Sequence, residues 1–115
     1  MNQKQLWIQR KSTLDKYHIQ GCPTFKKPKV NVVNITPTNT LLHELCKGKV
    51  AWQLRKHGMD FITEAYRDGV RRDVVCLDSG EEFEIIAEND TPEIRGKYKK
   101  DKVTIIEATW EYLKS

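Results

Sequence analysis

Carboxylates crowd one short stretch of this chain. Asp73, Glu82, Glu84 and Glu88 all fall within RRDVVCLDSGEEFEIIAEN, residues 71–89. That stretch reads as two strands joined by a tight turn. Asp73 opens the first strand, and the three glutamates line one side of the second. Carboxylates on neighbouring strands offer hard oxygen ligands, the kind that hold Mg²⁺ or Mn²⁺. A cation held there would polarise a phosphodiester and lower the pKa of a bound water. A plainer reading stays open beside this one: Asp73 caps a turn, and the glutamates form the wet face of a half-exposed strand.

The elements that would position these groups follow from pattern. Thr40 is a helix N-cap signal, and Gly58 is a stop. Between them the sequence predicts a helix from Leu41 to about His57. Leu42, Cys46, Val50 and Leu54 make one apolar stripe on it, with Leu41, Leu45 and Trp52 as a second. A helix apolar on two sides needs two partners, a sheet and either the N-terminal segment or a second subunit. His43, Glu44 and Lys47 share one edge of this helix. His43 could hold a metal or a phosphate, though a lone histidine there also reads as a plain helix-surface residue.

Strands are predicted at Lys29–Ile35, Asp60–Tyr66, Asp73–Leu77, Glu82–Glu88 and Val103–Ala108. Asp68-Gly69 is a hairpin signal. A short polar helix is expected from Asp90 to about Lys100, with Pro92 in its first turn. The tail TWEYLKS has room for one helical turn at most. Residues 1–28 look irregular, broken by Gly21-Cys22-Pro23 and KKPK at 26–29. The result is an α+β class with an αβββαβ core, a mixed central sheet, an extra N-terminal strand and a basic arm. The division is an arm at 1–28 and one domain at 29–115.

The totals agree with one domain: 115 residues, 38% hydrophobic and 31% charged, a soluble globular class with a heavily charged surface. No apolar run approaches bilayer length, so no membrane partner is expected. The opening MNQKQLWIQRK lacks the apolar middle of a signal peptide, which places the chain in the cytoplasm. Cys22, Cys46 and Cys76 are odd in number and far apart, neither a disulfide framework nor a zinc pattern. Net charge is +4 and uneven. Residues 1–40 carry Lys4, Arg10, Lys11, Lys16, Lys26, Lys27 and Lys29 against Asp15 alone, a net of +6 that leaves −2 for the rest. A basic arm on a slightly acidic body points to a polyanion, nucleic acid first.

The helix HELCKGKVAWQLRKHG, a following strand, and then RRDVVCLDSGEEFEII together resemble the core of the PD-(D/E)XK, restriction-endonuclease-like nucleases. The likeness covers about residues 38–108 and is nearest to archaeal Holliday-junction resolvases and small archaeal and viral nuclease-like proteins. It implies a three-layer α/β arrangement in that family's terms. It implies that Asp73 and Glu84, with Glu44 from the helix, hold one Mg²⁺ or Mn²⁺ and hydrolyse DNA, branched DNA included. It also implies a homodimer. Arg71, Arg72, His43 and the arm residues Arg10, Lys11, Lys26, Lys27 and Lys29 would hold the phosphates. The departure is at the motif lysine, where Ile86 stands two residues after Glu84. Lys47, Lys97 and Lys99 are the candidates to replace it, Lys47 as the catalytic one. The alternative is a catalytically inactive nuclease fold that binds nucleic acid or a protein.

Overall fold

The computed structural model describes residues 1–19, 26–87 and 103–115. The first element is a helix, α1 (Gln3–Leu14), where the sequence predicted an irregular arm. A capping box starts it: the Asn2 side chain accepts the Gln5 N–H at 2.8 Å, and the Gln5 side chain accepts the Asn2 N–H at 3.0 Å. Arg10 fastens it to the body. Its guanidinium donates to both Asp78 oxygens at 2.9 and 3.0 Å and to the Gly58 carbonyl at 2.9 Å. Such a two-pronged pair fixes geometry as well as charge.

Residues 29–35 do not form the expected strand. Asn31 sits at φ 61°, and asparagine tolerates that left-handed conformation. Its backbone N–H donates to the Phe61 carbonyl, while its side chain accepts the Phe61 N–H. Thr63 does the same service further along, accepting the Asn34 N–H and donating to the Val32 carbonyl, each at 3.0 Å. Side chains thus replace a backbone ladder, which is the usual way asparagine and threonine interrupt a strand.

Helix α2 (Leu41–Lys56) forms as predicted. The Thr40 hydroxyl accepts the His43 N–H at 3.1 Å, and Gly58 ends the helix at φ 74°. Four strands follow: β1 (Phe61–Arg67), β2 (Val70–Cys76), β3 (Glu82–Ala87) and β4 (Thr104–Ala108). The tail forms a single turn, α3 (Trp110–Lys114), capped by Thr109. The sheet order is β1-β2-β3-β4, antiparallel across the first two joints and parallel across the last. This is a mixed sheet of α+β class. Asp68 and Gly69, at φ 55° and 76°, make the tight β1–β2 turn that the Asp-Gly pair signalled. The expected helix at Asp90–Lys100, the turn at Gly21–Pro23, and Cys22, Glu88, Lys97 and Lys99 lie outside the described residues.

Both sheet faces are covered. On one, Cys46, Val50 and Ala51 of α2 pack on Phe61, Val74, Ile85 and Ala108, with Leu42 and Leu54 beside them. On the other, Leu14 at the end of α1 and Tyr17 cover Ile62, Ala65, Val75 and Leu77. The second stripe of α2 faces outward: Leu41 is 72% exposed, Leu45 39% and Trp52 59%. Among the described residues, no helix is long and apolar enough to cross a membrane.

Candidate carboxylate site

Strand β2 begins three residues earlier than predicted, so Asp73 lies in mid-strand rather than at a start. It is 1% exposed. The β2–β3 ladder runs only over Val74–Phe83 and Val75–Glu82. Beyond it the Asp73 carboxylate takes over a backbone role, its Oδ2 accepting the Ile85 N–H at 2.8 Å. Glu84, 5% exposed, stands next to it on β3. Asp73 Oδ1 and Glu84 Oε1 are both buried, and neither accepts a hydrogen bond among the described residues. Buried oxygens seldom go without a donor, and the proton that Glu84 retains supplies one between the two carboxyls.

The pair divides its charge. Burial and then the Asp73 charge push the Glu84 pKa up to about 9, so Glu84 is neutral at pH 7. Burial also acts to raise the Asp73 pKa, but His43 and the Ile85 amide outweigh it, and Asp73 titrates below the ordinary carboxylate range. His43 Nε2 lies 3.7 Å from Asp73 Oδ2 and 3.0 Å from the Ile85 carbonyl. Its Nδ1 lies 2.8 Å from Glu44 Oε2. Acceptors on both ring nitrogens favour the imidazolium. Burial lowers the His43 pKa and the two carboxylates raise it, for a net rise.

Glu44 stands behind His43, not beside Asp73. Its carboxylate accepts the Thr36 N–H at 2.5 Å and Lys47 at 2.7 Å, besides meeting His43. Burial opposes its ionisation, but Lys47 and these donors hold the pKa down to about 2. The expected trio of Asp73, Glu84 and Glu44 therefore comes together only as a pair. Among the described residues no group of three or more His, Cys, Asp or Glu is arranged to hold a metal ion.

Lys47 is fully buried. Its three N–H donors go to the Asn34 carbonyl, Glu44 and Glu64, each at 2.7 Å. With three acceptors for three donors, its ammonium is committed to holding α2 on the sheet. Glu64 was no part of the sequence expectation. It sits in mid-strand at φ 51°, a conformation costing roughly 1–3 kcal/mol for a residue with a side chain. Its carboxylate meets Lys47 and, at 3.3 Å, Arg71. The signal that could have found it is a charged residue inside the otherwise inward FITEAY run.

Arg71 is 38% exposed at the side chain and reaches within 4.0 Å of Asp73 Oδ1. Arg72 is only 4% exposed and faces Glu82 at 3.3 Å and Glu84 at 3.9 Å, so it lies inside the protein instead of on a phosphate-facing surface. Glu82 is likewise buried, taking a 2.5 Å hydrogen bond from the Tyr17 hydroxyl and an ion pair from Arg67 at 3.2 Å. The β3 glutamates in view are thus not a wet strand face. Of the arm residues, Arg10 is spent on Asp78 and Asp60, and Lys27 donates to the Asp15 and Tyr17 carbonyls. Lys11 stands 5.8 Å from the Trp7 ring, and Lys26 and Lys29 are exposed. Compared with protein-family models, with curated proteins and with solved structures, the chain gives no match in any of the three.

Proposed function

We propose that this chain is a metal-dependent nuclease of the PD-(D/E)XK kind, acting on DNA, with Asp73 and Glu84 as the residues that hold Mg²⁺ or Mn²⁺. One observation carries the reading: two carboxyls from adjacent strands, Asp73 and Glu84, are buried side by side and hold one proton between them, a place a cation could take. Mg²⁺ is commonly bound by one or two carboxylates, with water filling its remaining positions, so a pair is a sufficient protein contribution. When bound, the cation would supply polarisation of the phosphodiester and a water of lowered pKa. The chain's own residues do the rest. Glu84 gives up its proton as the cation enters, so binding releases a proton and tightens as pH rises. His43, backed by Glu44, keeps Asp73 ionised. Arg71, half-exposed beside Asp73, receives the phosphate.

A second reading is a nuclease fold that binds without cutting. Ile86, buried at the motif lysine's position, and Lys47, with every donor spent, favour it. The test is cleavage of labelled single-stranded, duplex and four-way-junction DNA with Mg²⁺ or Mn²⁺, alongside Asp73→Ala. Cleavage by wild type alone supports the nuclease. Retention of uncut DNA supports the second reading, and neither cleavage nor retention at low salt removes both.

A homodimer through the exposed Leu41–Leu45–Trp52 stripe belongs to the same proposal, since that stripe lacks cover from α1. So does a cytoplasmic location, in keeping with the free, buried thiols of Cys46 and Cys76.

A further inference from the structure

A cleft of about 520 Å³ opens between the irregular chain around residues 28–36 and the β1–β2 hairpin. Its volume falls within the range of small-ligand pockets. Tyr66 and Arg71 line it, and they are directly opposite partners in the antiparallel ladder. Side chains of such partners stand next to each other on one sheet face. The ring and the guanidinium therefore both reach the cleft from one face of the hairpin.

The strand that carries the ring is held on both edges. Tyr66 exchanges two backbone hydrogen bonds of 3.0 Å with His18 on its free edge, besides its pairing within the hairpin. Pro28 and Val32 give the cleft an apolar wall, and Lys29 adds a second cation at the exposed side. Arg71 ties the cleft to the carboxylates, meeting Glu64 at 3.3 Å and approaching Asp73 Oδ1 to 4.0 Å. An aromatic face with an apolar wall suits a base, and two cations suit a phosphate. A base inside a closed duplex is stacked on both faces and cannot present itself to such a ring.

We propose that this cleft takes one unpaired nucleotide of a DNA strand, its base against Tyr66 and its phosphate between Arg71 and Lys29, so that the carboxylate pair is presented with single-stranded or frayed DNA in preference to closed duplex. The inference rests on the nucleic-acid reading above and adds the form of the substrate to it.

The test is binding of a short fluorescent single strand and of the blunt duplex of the same sequence, without divalent cation, at low salt. Wild type binds the single strand about tenfold or more tighter. Tyr66→Leu removes the stacking face and lowers single-strand affinity by about five- to a hundredfold, the range for one stacked base, leaving duplex affinity unchanged. Val32→Glu, at an exposed wall position outside the hairpin, puts a carboxylate in the cleft against the nucleotide's phosphate and produces the same selective loss. It decides the matter if Tyr66→Leu does not fold. Equal wild-type affinities for the two forms, or equal losses on both in the variants, overturn the cleft assignment and leave DNA binding standing. Failure to bind either form overturns the cleft and the nucleic-acid reading together.

Discussion

Replacing Glu84 by glutamine should change how stability depends on pH. In the folded chain its pKa is pushed up to about 9, by burial first and the Asp73 charge second, from an ordinary 4.5. The unfolded chain therefore ionises Glu84 from pH 4.5 upward, while the folded chain keeps it protonated until about 9. The folded state binds the extra proton, so its stability falls as pH rises through that window. Each pH unit removes about 1.4 kcal/mol, and between pH 4.5 and pH 7 the wild type loses about 3 kcal/mol from this group. Glutamine has the same shape and no proton to hold. It costs about 1 kcal/mol for an imperfectly placed amide. Glu84→Gln should therefore be slightly less stable than wild type at pH 4.5 and about 2 kcal/mol more stable at pH 7. Urea midpoints followed by tryptophan fluorescence, at several pH values in metal-free buffer, give both curves. Curves that cross support the reasoning. Parallel curves would show that Glu84 is ionised in the folded chain and that the two carboxyls do not confront each other.

Lys47→Met should cost about 3–5 kcal/mol, because it takes the shared cation from buried Glu44 and half-buried Glu64. Denaturant unfolding checks this, and a loss under about 1 kcal/mol would deny Lys47 its structural role. Arg10→Ala should release α1 from Asp78 and Asp60, speeding proteolysis near residues 3–14 with a loss of about 1–3 kcal/mol. Unchanged cleavage there would mean that Leu14 and Thr13 hold the helix without it. Trp52→Glu places a charge in the exposed α2 stripe and should shift sedimentation from dimer to monomer without altering helix content. A wild type that sediments as a monomer at every concentration would leave the stripe unpartnered.

The parts legible in the sequence were those fixed by local chemistry. Thr40, the four-residue apolar repeat and Gly58 define α2, and Asp68-Gly69 defines the hairpin turn, because each acts within a few residues of itself. Helix α1 was not legible. Its apolar residues form no stripe, and what holds it is the Asn2–Gln5 capping box and an Arg10 contact to a residue far along the chain. KVNVVNI alternates like a strand, but Asn31 and the Thr63 hydroxyl substitute side-chain bonds for a ladder. At the site, the adjacency of Asp73 and Glu84 follows from the hairpin and could be read. The withdrawal of Glu44 behind His43, the commitment of Lys47, and the entry of Glu64 depend on packing between α2 and the sheet, which sequence spacing does not encode.

The proposed cation site is tested most directly by calorimetric titration of Mn²⁺ into metal-free protein at pH 7, in two buffers of different ionisation enthalpy, for wild type and Asp73→Asn. The wild type should show one site per chain and a buffer-dependent heat equivalent to release of about one proton as Glu84 ionises, and Asp73→Asn should show no site. Equal binding by both proteins, or none by the wild type, would contradict the claim that Asp73 and Glu84 form a cation site.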